Sequence, residues 1–209
     1  MAKSSEKLLL FDVDGVIVDS FDEFFVEVRA FIRNHGGKTI TSDDFRRFFE
    51  QNPLEQIMAA ANLTKTELLA SSGLETIIAQ YKKTKVFEGM PDVLRTLAKH
   101  HTLVVVTSSL TDPVIEKLAE QGLDALFAAF LGPQAGVNKD KKIRMALDEF
   151  GFDSKNAIFV TDTSGDIVEA KKTGVRTIGV TWGYHDARTV SRAAPDAIVH
   201  SPQELLQAI

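Results

Sequence analysis

The chain has 209 residues, with 24 Lys or Arg and 29 Asp or Glu, so its formal net charge is −5. This mildly acidic balance, without a basic run, argues against a nucleic-acid-binding protein. The absence of cysteine excludes disulfides, thiolate catalysis and cysteine-ligated metal sites. No apolar run approaches the ~20 residues that cross a bilayer, and none has the length of a signal-peptide core. We therefore expect a cytoplasmic globular protein without a nucleic-acid or membrane partner, either a monomer or a dimer.

Four short hydrophobic runs predict β-strands. They span Leu8–Val13, Thr102–Thr107, Ala157–Thr161 and Thr177–Thr181. Because their apolarity is continuous rather than alternating, both faces of each strand should be covered, as in a parallel sheet between helices. Helical patterns lie between or beside these runs, at Pro91–His100, at Pro113–Gln121 with Asp112 as N-cap, at Ile143–Phe150 and at Asp166–Thr173. The repeated alternation predicts a doubly wound α/β fold.

The segment from residue 20 to residue 85 interrupts this alternation and has no obvious strand. Its first apolar residues recur at helical spacing along one face, and this helix should end near Gly36-Gly37. They are Phe21, Phe24, Phe25, Val28, Phe31 and Ile32. We predict an all-α domain at residues 20–85, inserted into a core formed by residues 1–19 and 86–209.

Acidic residues follow two of the predicted strands. Asp12 and Asp14 lie at the end of the first strand, and Asp162 and Asp166 come after the third. The carboxyl ends of parallel strands form the ligand-binding edge of an α/β sheet, so these four carboxylates should share a site. A hard cation that prefers oxygen ligands, such as Mg²⁺, would relieve their mutual repulsion. For Asp166 taken alone, the simpler alternative is a helix N-cap.

A hydroxyl and a lysine complete the predicted site. Thr107 ends the second predicted strand, where its hydroxyl can donate to an anionic oxygen. Lys139, Lys141 and Lys142 precede the third predicted helix, and any one of them could neutralise a phosphoryl group. Acids, a hydroxyl and a lysine are together the groups that hold Mg²⁺ and stabilise phosphoryl transfer.

The segment Asp12–Ser20, of sequence DVDGVIVDS, resembles the first motif of the haloacid dehalogenase superfamily in its phosphatase branch. Thr107 resembles the second motif, Lys139 the third, and Asp162 with Asp166 the fourth. The helical insert lies where this family carries a small α-helical (C1-type) cap, and the tail is similar to phosphoglycolate-phosphatase-like members. The resemblance implies a Rossmann-like core, a Mg²⁺ cofactor and a small phosphate ester as substrate.

The same resemblance implies a role for each residue. Asp12 would be the nucleophile that forms an aspartyl-phosphate, and Asp14 would protonate the leaving oxygen and then activate water. Thr107, Ser108 and Lys139 would bind the phosphoryl group. The Mg²⁺ ligands would be Asp12, Asp14, Asp162 and Asp166. An acid at position 14 favours ester hydrolysis over carbon–halogen cleavage, because dehalogenation does not need one there.

Three departures from the family pattern leave alternatives open. Thr161 stands where the family has Gly, Ser108 stands where it often has Asn, and its Lys-Pro-Xaa-Pro sequence is absent. The choice among the three lysines therefore stays open, with Lys139 favoured by its distance from the helix. His185 could border the site, and a substrate carboxylate could meet Arg46 or Arg47, although exposure to solvent is the simpler expectation for both.

Two other functions remain as alternatives to a phosphatase of phosphoglycolate or sugar-phosphate type. One is a phosphomutase of the same superfamily, which passes the phosphoryl group to a sugar rather than to water. The other is a regulatory protein that is phosphorylated on an aspartate.

Overall fold

The computed structural model describes residues 6–64, 66–67, 81–135 and 138–209. The strands are β1 (Leu8–Phe11), β2 (Val18–Asp19), β3 (Lys85–Val86), β4 (Thr102–Val106), β5 (Phe127–Leu131), β6 (Ala157–Thr161), β7 (Arg176–Val180) and β8 (Ala197–Val199). Six of them form one sheet in the order β5-β4-β1-β6-β7-β8, and every neighbouring pair is parallel. The remaining two, β2 and β3, pair antiparallel.

Strand β1 lies in the middle of the sheet, between β4 and β6. Its four residues are fully buried and alternate between two cores. Leu9 and Phe11 belong to the larger core, and Leu8 and Leu10 belong to the second. A strand covered on both faces needs apolar residues at every position, which explains the continuous run in the sequence.

Helices cover both faces of the sheet, as the sequence predicts. The described helices are α1 (Phe21–Asn34), α2 (Ser42–Phe48), α3 (Pro53–Ala60), α4 (Met90–Leu97), α5 (Thr111–Ala119), α6 (Lys139–Phe150), α7 (Ser164–Lys171), α8 (Ala187–Arg192) and α9 (Leu205–Ala208). Helices α4, α5 and α9 contribute to the larger core, whereas α6 and α7 contribute to the second. The doubly wound α/β prediction is confirmed. No described helix is both long and apolar enough to cross a membrane.

The segment after β2 is helical in α1, α2 and α3 and has a core of its own. The apolar face of α1 packs there through Val28, Phe31 and Ile32, together with Phe45 of α2. The helix ends at Asn34, close to its expected end. Residues 65 and 68–80 of this segment lie outside the described residues. We refer to the helical insert as the cap.

Several boundaries differ from the sequence prediction. Helix α5 begins at Thr111 with Leu110 as N-cap, so the prediction of Asp112 as N-cap is wrong. Helix α6 begins four residues earlier than predicted, at Lys139. Strand β3 begins at Lys85, the last residue of the region expected to lack strands, and its pairing with β2 joins the two connections between cap and core. Strands β5 and β8 lie at the sheet edges, where partial exposure weakens the apolar signal.

Candidate active site

The carboxyl end of the sheet brings together the residues that follow its central strands. Asp12 is the first residue after β1, and its N–H donates to the carbonyl of Val160 in β6 at 3.0 Å. The residue is 5% exposed, and its side chain accepts hydrogen bonds from Val13 N–H (2.8 Å to Oδ1) and from the Lys139 ammonium (to Oδ2). Asp12 is therefore held rigidly at the edge of the sheet, with a cation against one oxygen.

Lys139 is the lysine that meets the carboxylates. Its buried Nζ also donates to Asp166 Oδ2 at 2.6 Å, so it bridges two acids. Burial lowers the pKa of Lys139, but Asp12 and Asp166 outweigh that effect and raise it above the ordinary value. By contrast, Lys141 is exposed, and Lys142 is buried against the carbonyl of Thr107. The geometry thus favours Lys139 for the position that the sequence left open.

Asp166 is not the N-cap of α7, contrary to the alternative considered for it. Thr163 is the N-cap, and its Oγ1 accepts a hydrogen bond from Asp166 N–H at 3.4 Å. The Asp166 side chain instead accepts from Lys139 and from Thr161 Oγ1, the latter at 3.1 Å. Burial raises the pKa of Asp166, but Lys139 and the neighbouring donors lower it overall, so the carboxylate is charged.

Asp162 is fully buried and only half satisfied. Its Oδ2 accepts from Tyr184 N–H at 2.6 Å, whereas Oδ1 has no hydrogen-bond partner among the described residues. Burial raises the pKa of Asp162 to about 7, because the charged form loses its hydration. A buried carboxylate oxygen without a donor is a candidate ligand for a cation.

The donor set fits Mg²⁺, although no ready-made cage is present. Among the residues that the structure describes, no three His, Cys, Asp or Glu side chains converge on one cation position. Mg²⁺ needs no such cage, since it commonly keeps waters and binds one or two carboxylates plus substrate phosphate oxygens. Burial also raises the pKa of Asp12 despite Lys139, so a further cation would favour its ionised form. Asp12 and Asp162 offer the hard oxygens that this ion prefers.

Asp14 faces a different set of neighbours from the other three acids. Its Oδ1 accepts from Ser20 Oγ at 2.7 Å and Tyr81 OH at 3.1 Å, and its Oδ2 accepts from Ser109 Oγ. Burial raises the pKa of Asp14, and these hydroxyls oppose the shift without cancelling it. A raised pKa suits a carboxyl group that gives up a proton near neutral pH.

Thr107 and Ser108 form the turn that follows β4. The Thr107 side chain is buried, and its Oγ1 accepts from Ser109 N–H at 3.0 Å. A hydroxyl that accepts in this way can still donate its own hydrogen to an anion. Ser108 is exposed. Since β4 and β1 are adjacent, this turn lies at the same sheet edge as Asp12.

Tyr184, which the sequence analysis did not single out, links the cap to the acids. Its N–H holds Asp162, and its OH lies 3.0 Å from Ser20 Oγ, which in turn donates to Asp14. Its buried ring packs among cap phenylalanines, at 4.7 Å from Phe49 and 5.1 Å from Phe21 between ring centroids. The available signal was its position in the loop that follows β7, four residues beyond Val180.

His185 lies next to the site, between the cap and helix α7. It is 2% exposed, and its Nδ1 accepts from Ser164 N–H at 3.0 Å, which leaves Nε2–H to donate to the Arg46 carbonyl at 2.9 Å. Burial lowers the pKa of His185 and keeps it neutral. It therefore joins Arg46 of the cap to the first turn of α7, which carries Asp166.

Arg46 differs from the expectation of a solvated side chain. It is half-buried, donates to the Tyr184 carbonyl at 2.8 Å and lies 3.9 Å from the centroid of the Phe21 ring. Arg47 is exposed and pairs with Asp44, as expected for a surface residue. The hydrogen bond of Arg46 ties the cap to the core.

Comparisons with known proteins identify the family to which the chain belongs. The haloacid dehalogenase-like hydrolase family matches residues 9–180. A phosphoglycolate phosphatase from Synechococcus elongatus is 25% identical over 206 residues, covering 96% of each chain. A haloacid dehalogenase-like hydrolase structure from Streptococcus pneumoniae superposes with a TM-score of 0.80 at 24% identity, covering 98% of this chain and 99% of that one.

A protein from Thermotoga maritima proposed as a β-phosphoglucomutase superposes with a TM-score of 0.69 at 21% identity, covering 97% of each chain. At these identities the two structures show the fold alone, whereas the sequence relative supports a phosphatase. Because the family match covers most of the chain, this protein belongs to the haloacid dehalogenase-like hydrolase family.

Proposed function

We propose that this protein is a Mg²⁺-dependent phosphatase that hydrolyses a small phosphate monoester through an aspartyl-phosphate on Asp12. The observation that carries the proposal is the convergence of Asp12 and Asp166 on the Lys139 ammonium, with Asp14 two residues beyond the nucleophile. The phosphoglycolate phosphatase relative supports phosphoglycolate, or a sugar phosphate of similar size, as the ester. In this protein, four residues would hold Mg²⁺: Asp12 and Asp162 through their carboxylates, Asp14 through its backbone carbonyl, and Asp166 through water.

The first step transfers the phosphoryl group to the enzyme. An Asp12 carboxylate oxygen attacks phosphorus, the bond from phosphorus to the ester oxygen breaks, and that oxygen takes a proton from Asp14. Lys139 and the hydroxyl of Thr107 offset charge on the transferring oxygens. When bound, Mg²⁺ would supply further positive charge to the nucleophile and the phosphoryl group.

The second step returns Asp12 to its starting form. Asp14, now ionised, removes a proton from water, whose oxygen attacks phosphorus; the bond from phosphorus to the Asp12 oxygen breaks, which releases inorganic phosphate and leaves Asp12 as a carboxylate. The same group thus acts as acid and then as base, which requires that it keep its place beside the leaving oxygen. The three hydroxyls of Ser20, Tyr81 and Ser109 provide that placement.

A phosphate-release screen tests the proposal. The purified protein is incubated with phosphoglycolate, sugar phosphates, nucleotides and pyrophosphate, with Mg²⁺ or with EDTA. We expect release from at least one small monoester with Mg²⁺, loss of release in EDTA, and loss in Asp12→Asn. The Asp12→Asn variant is nearly isosteric and keeps the Val13 N–H bond, so its loss of activity reports on the nucleophile.

Other results would contradict the proposal. Full activity of Asp12→Asn, or full activity in EDTA, would exclude this mechanism. A hexose phosphate that is isomerised without phosphate release would assign the phosphomutase alternative. Stable phosphorylation without multiple turnover would assign the regulatory alternative.

A further inference from the structure

Lys142 is a buried cation that the mechanism above does not use. It is 3% exposed, and its Nζ donates to the carbonyl of Thr107 at 2.7 Å. Within the described part of the chain, no carboxylate forms an ion pair with it. Its ammonium is therefore hydrogen-bonded to a neutral acceptor, a carbonyl of the turn that follows β4.

Burial of an ammonium without a counter-ion is energetically unfavourable unless other charges or hydrogen bonds offset the lost hydration. A buried ammonium without a counter-ion loses hydration that one carbonyl does not restore. Lys139 lies one helical turn earlier and adds like-charge repulsion. The acids that face Lys142 are Asp12, Asp166 and Glu169, and they offset this only in part, since burial and Lys139 lower the pKa of Lys142 to about 8.

The carbonyl that Lys142 holds belongs to the phosphate-binding turn. Thr107 Oγ1 is bound by Ser109 N–H, and Ser109 Oγ donates to Asp14. A shift of the Thr107 peptide would therefore move both the phosphate-binding hydroxyl and one donor to the acid. The positive charge of Lys142 beside the Thr107 carbonyl also favours the binding of a dianion at the phosphate site.

We propose that Lys142 is a positioning residue of the phosphate site, where its ammonium fixes the Thr107 carbonyl and strengthens the binding of a phosphoryl-like dianion. This inference deepens the proposed phosphatase function and rests on it. It assigns a second cation to the site, acting through the backbone of Thr107 rather than by contact with substrate.

Binding of sulfate, a dianion that does not titrate near neutral pH, tests the proposal independently of turnover. Calorimetry with Mg²⁺ compares wild type with Lys142→Met, Lys142→Arg and the control Lys141→Met, which removes a neighbouring exposed lysine. We expect Lys142→Met to weaken sulfate binding by about tenfold or more, because it removes a buried positive charge near the anion and frees the Thr107 carbonyl. Lys142→Arg should recover much of the affinity, and Lys141→Met should match wild type.

The pH profile separates a role for the charge from a role in packing. Because the pKa of Lys142 is lowered to about 8, wild-type sulfate affinity should fall between about pH 7 and pH 9, as the ammonium loses its proton. Lys142→Arg stays charged over this range, so its affinity should fall less. This comparison remains informative if Lys142→Met fails to fold.

Equal sulfate affinity in Lys142→Met and Lys141→Met would overturn the inference, and so would coincident pH profiles of wild type and Lys142→Arg. Failure of the proposed function looks different, because wild type would then release no phosphate from any ester.

Discussion

Gly15→Ala tests whether the turn after Asp14 is packed against Asp162. Gly15 has a φ of +75°, and a Cβ built on it would lie 1.9 Å from Asp162 Oδ2 and 2.9 Å from the Tyr184 ring. To reach even a 3.0 Å contact, Asp162 Oδ2 must retreat by about 1 Å. Since that oxygen is held by Tyr184 N–H at 2.6 Å, either the hydrogen bond or the loop must yield.

Gly151→Ala is the matched control, because it isolates the backbone effect. Gly151 has a similar φ of +68°, but a Cβ there would meet nothing within 4 Å. An L-residue in this left-handed region costs about 1 kcal/mol of unfolding free energy. We expect Gly15→Ala to lose this amount plus about 2–4 kcal/mol from overpacking and the lost hydrogen bond.

The effect on activity should separate the two variants further. A displacement of about 1 Å in a catalytic group can cost about 100-fold in rate. We therefore expect kcat/KM of Gly15→Ala to fall by about that factor, whereas Gly151→Ala keeps wild-type activity. Urea unfolding and phosphate-release kinetics measure the two quantities. If Gly15→Ala matched Gly151→Ala in both, the close packing of Gly15 on Asp162 would be refuted.

Three further predictions concern the residues around the acids. Tyr184→Phe keeps the ring but loses the hydroxyl beside Ser20, so the rate of alkyl phosphate hydrolysis should fall several-fold. The rate with p-nitrophenyl phosphate should fall less, because its leaving group needs less protonation. Equal losses with the two substrates would contradict the link between Tyr184 and Asp14. Lys139→Met should lower kcat/KM by about 100-fold or more, because it removes the cation between two acids, and a small loss would count against its role. Because burial lowers the pKa of His185, the unfolded chain binds more protons, so the free energy of unfolding should fall as pH drops below about 6.5. Urea unfolding at several pH values should show a smaller loss of unfolding free energy in His185→Gln than in wild type, and the wild-type loss in the control His100→Gln, which changes an exposed histidine. The same pH dependence in wild type and His185→Gln would contradict this prediction.

The sheet could be predicted from the sequence because its central strands are apolar at every position. The run ending at Phe11 is buried on both faces, and acids directly follow the strands at Asp12 and Asp162. Parallel strands place such residues at one edge, so the position of the candidate site followed from local patterns. Strands β5 and β8 could not be predicted in this way, since they lie at the sheet edges and are only partly buried.

The contacts that hold the acids in place could not be predicted in the same way. Tyr81 and Ser109 reach Asp14 across 67 and 95 residues of sequence, and Tyr184 reaches Asp162 across 22. None of these residues stands in a periodic pattern that marks it as part of the site. Tyr81 reaches Asp14 from the cap, whereas Ser109 and Tyr184 follow other strands of the core, so the placement of all three depends on tertiary packing.

The central claim is that Asp12 carries the phosphoryl group during turnover, and acid-quenched mass spectrometry tests it most directly. The Asp14→Asn variant is mixed with Mg²⁺ and p-nitrophenyl phosphate, whose leaving group needs little protonation in the first step, then quenched and treated with borohydride, which reduces an acyl phosphate to an alcohol. Loss of the base should slow the second step, so we expect the modification to accumulate on the peptide that contains Asp12. Turnover in wild type with no trapped species in either protein, or a modification on a different residue, would contradict the account.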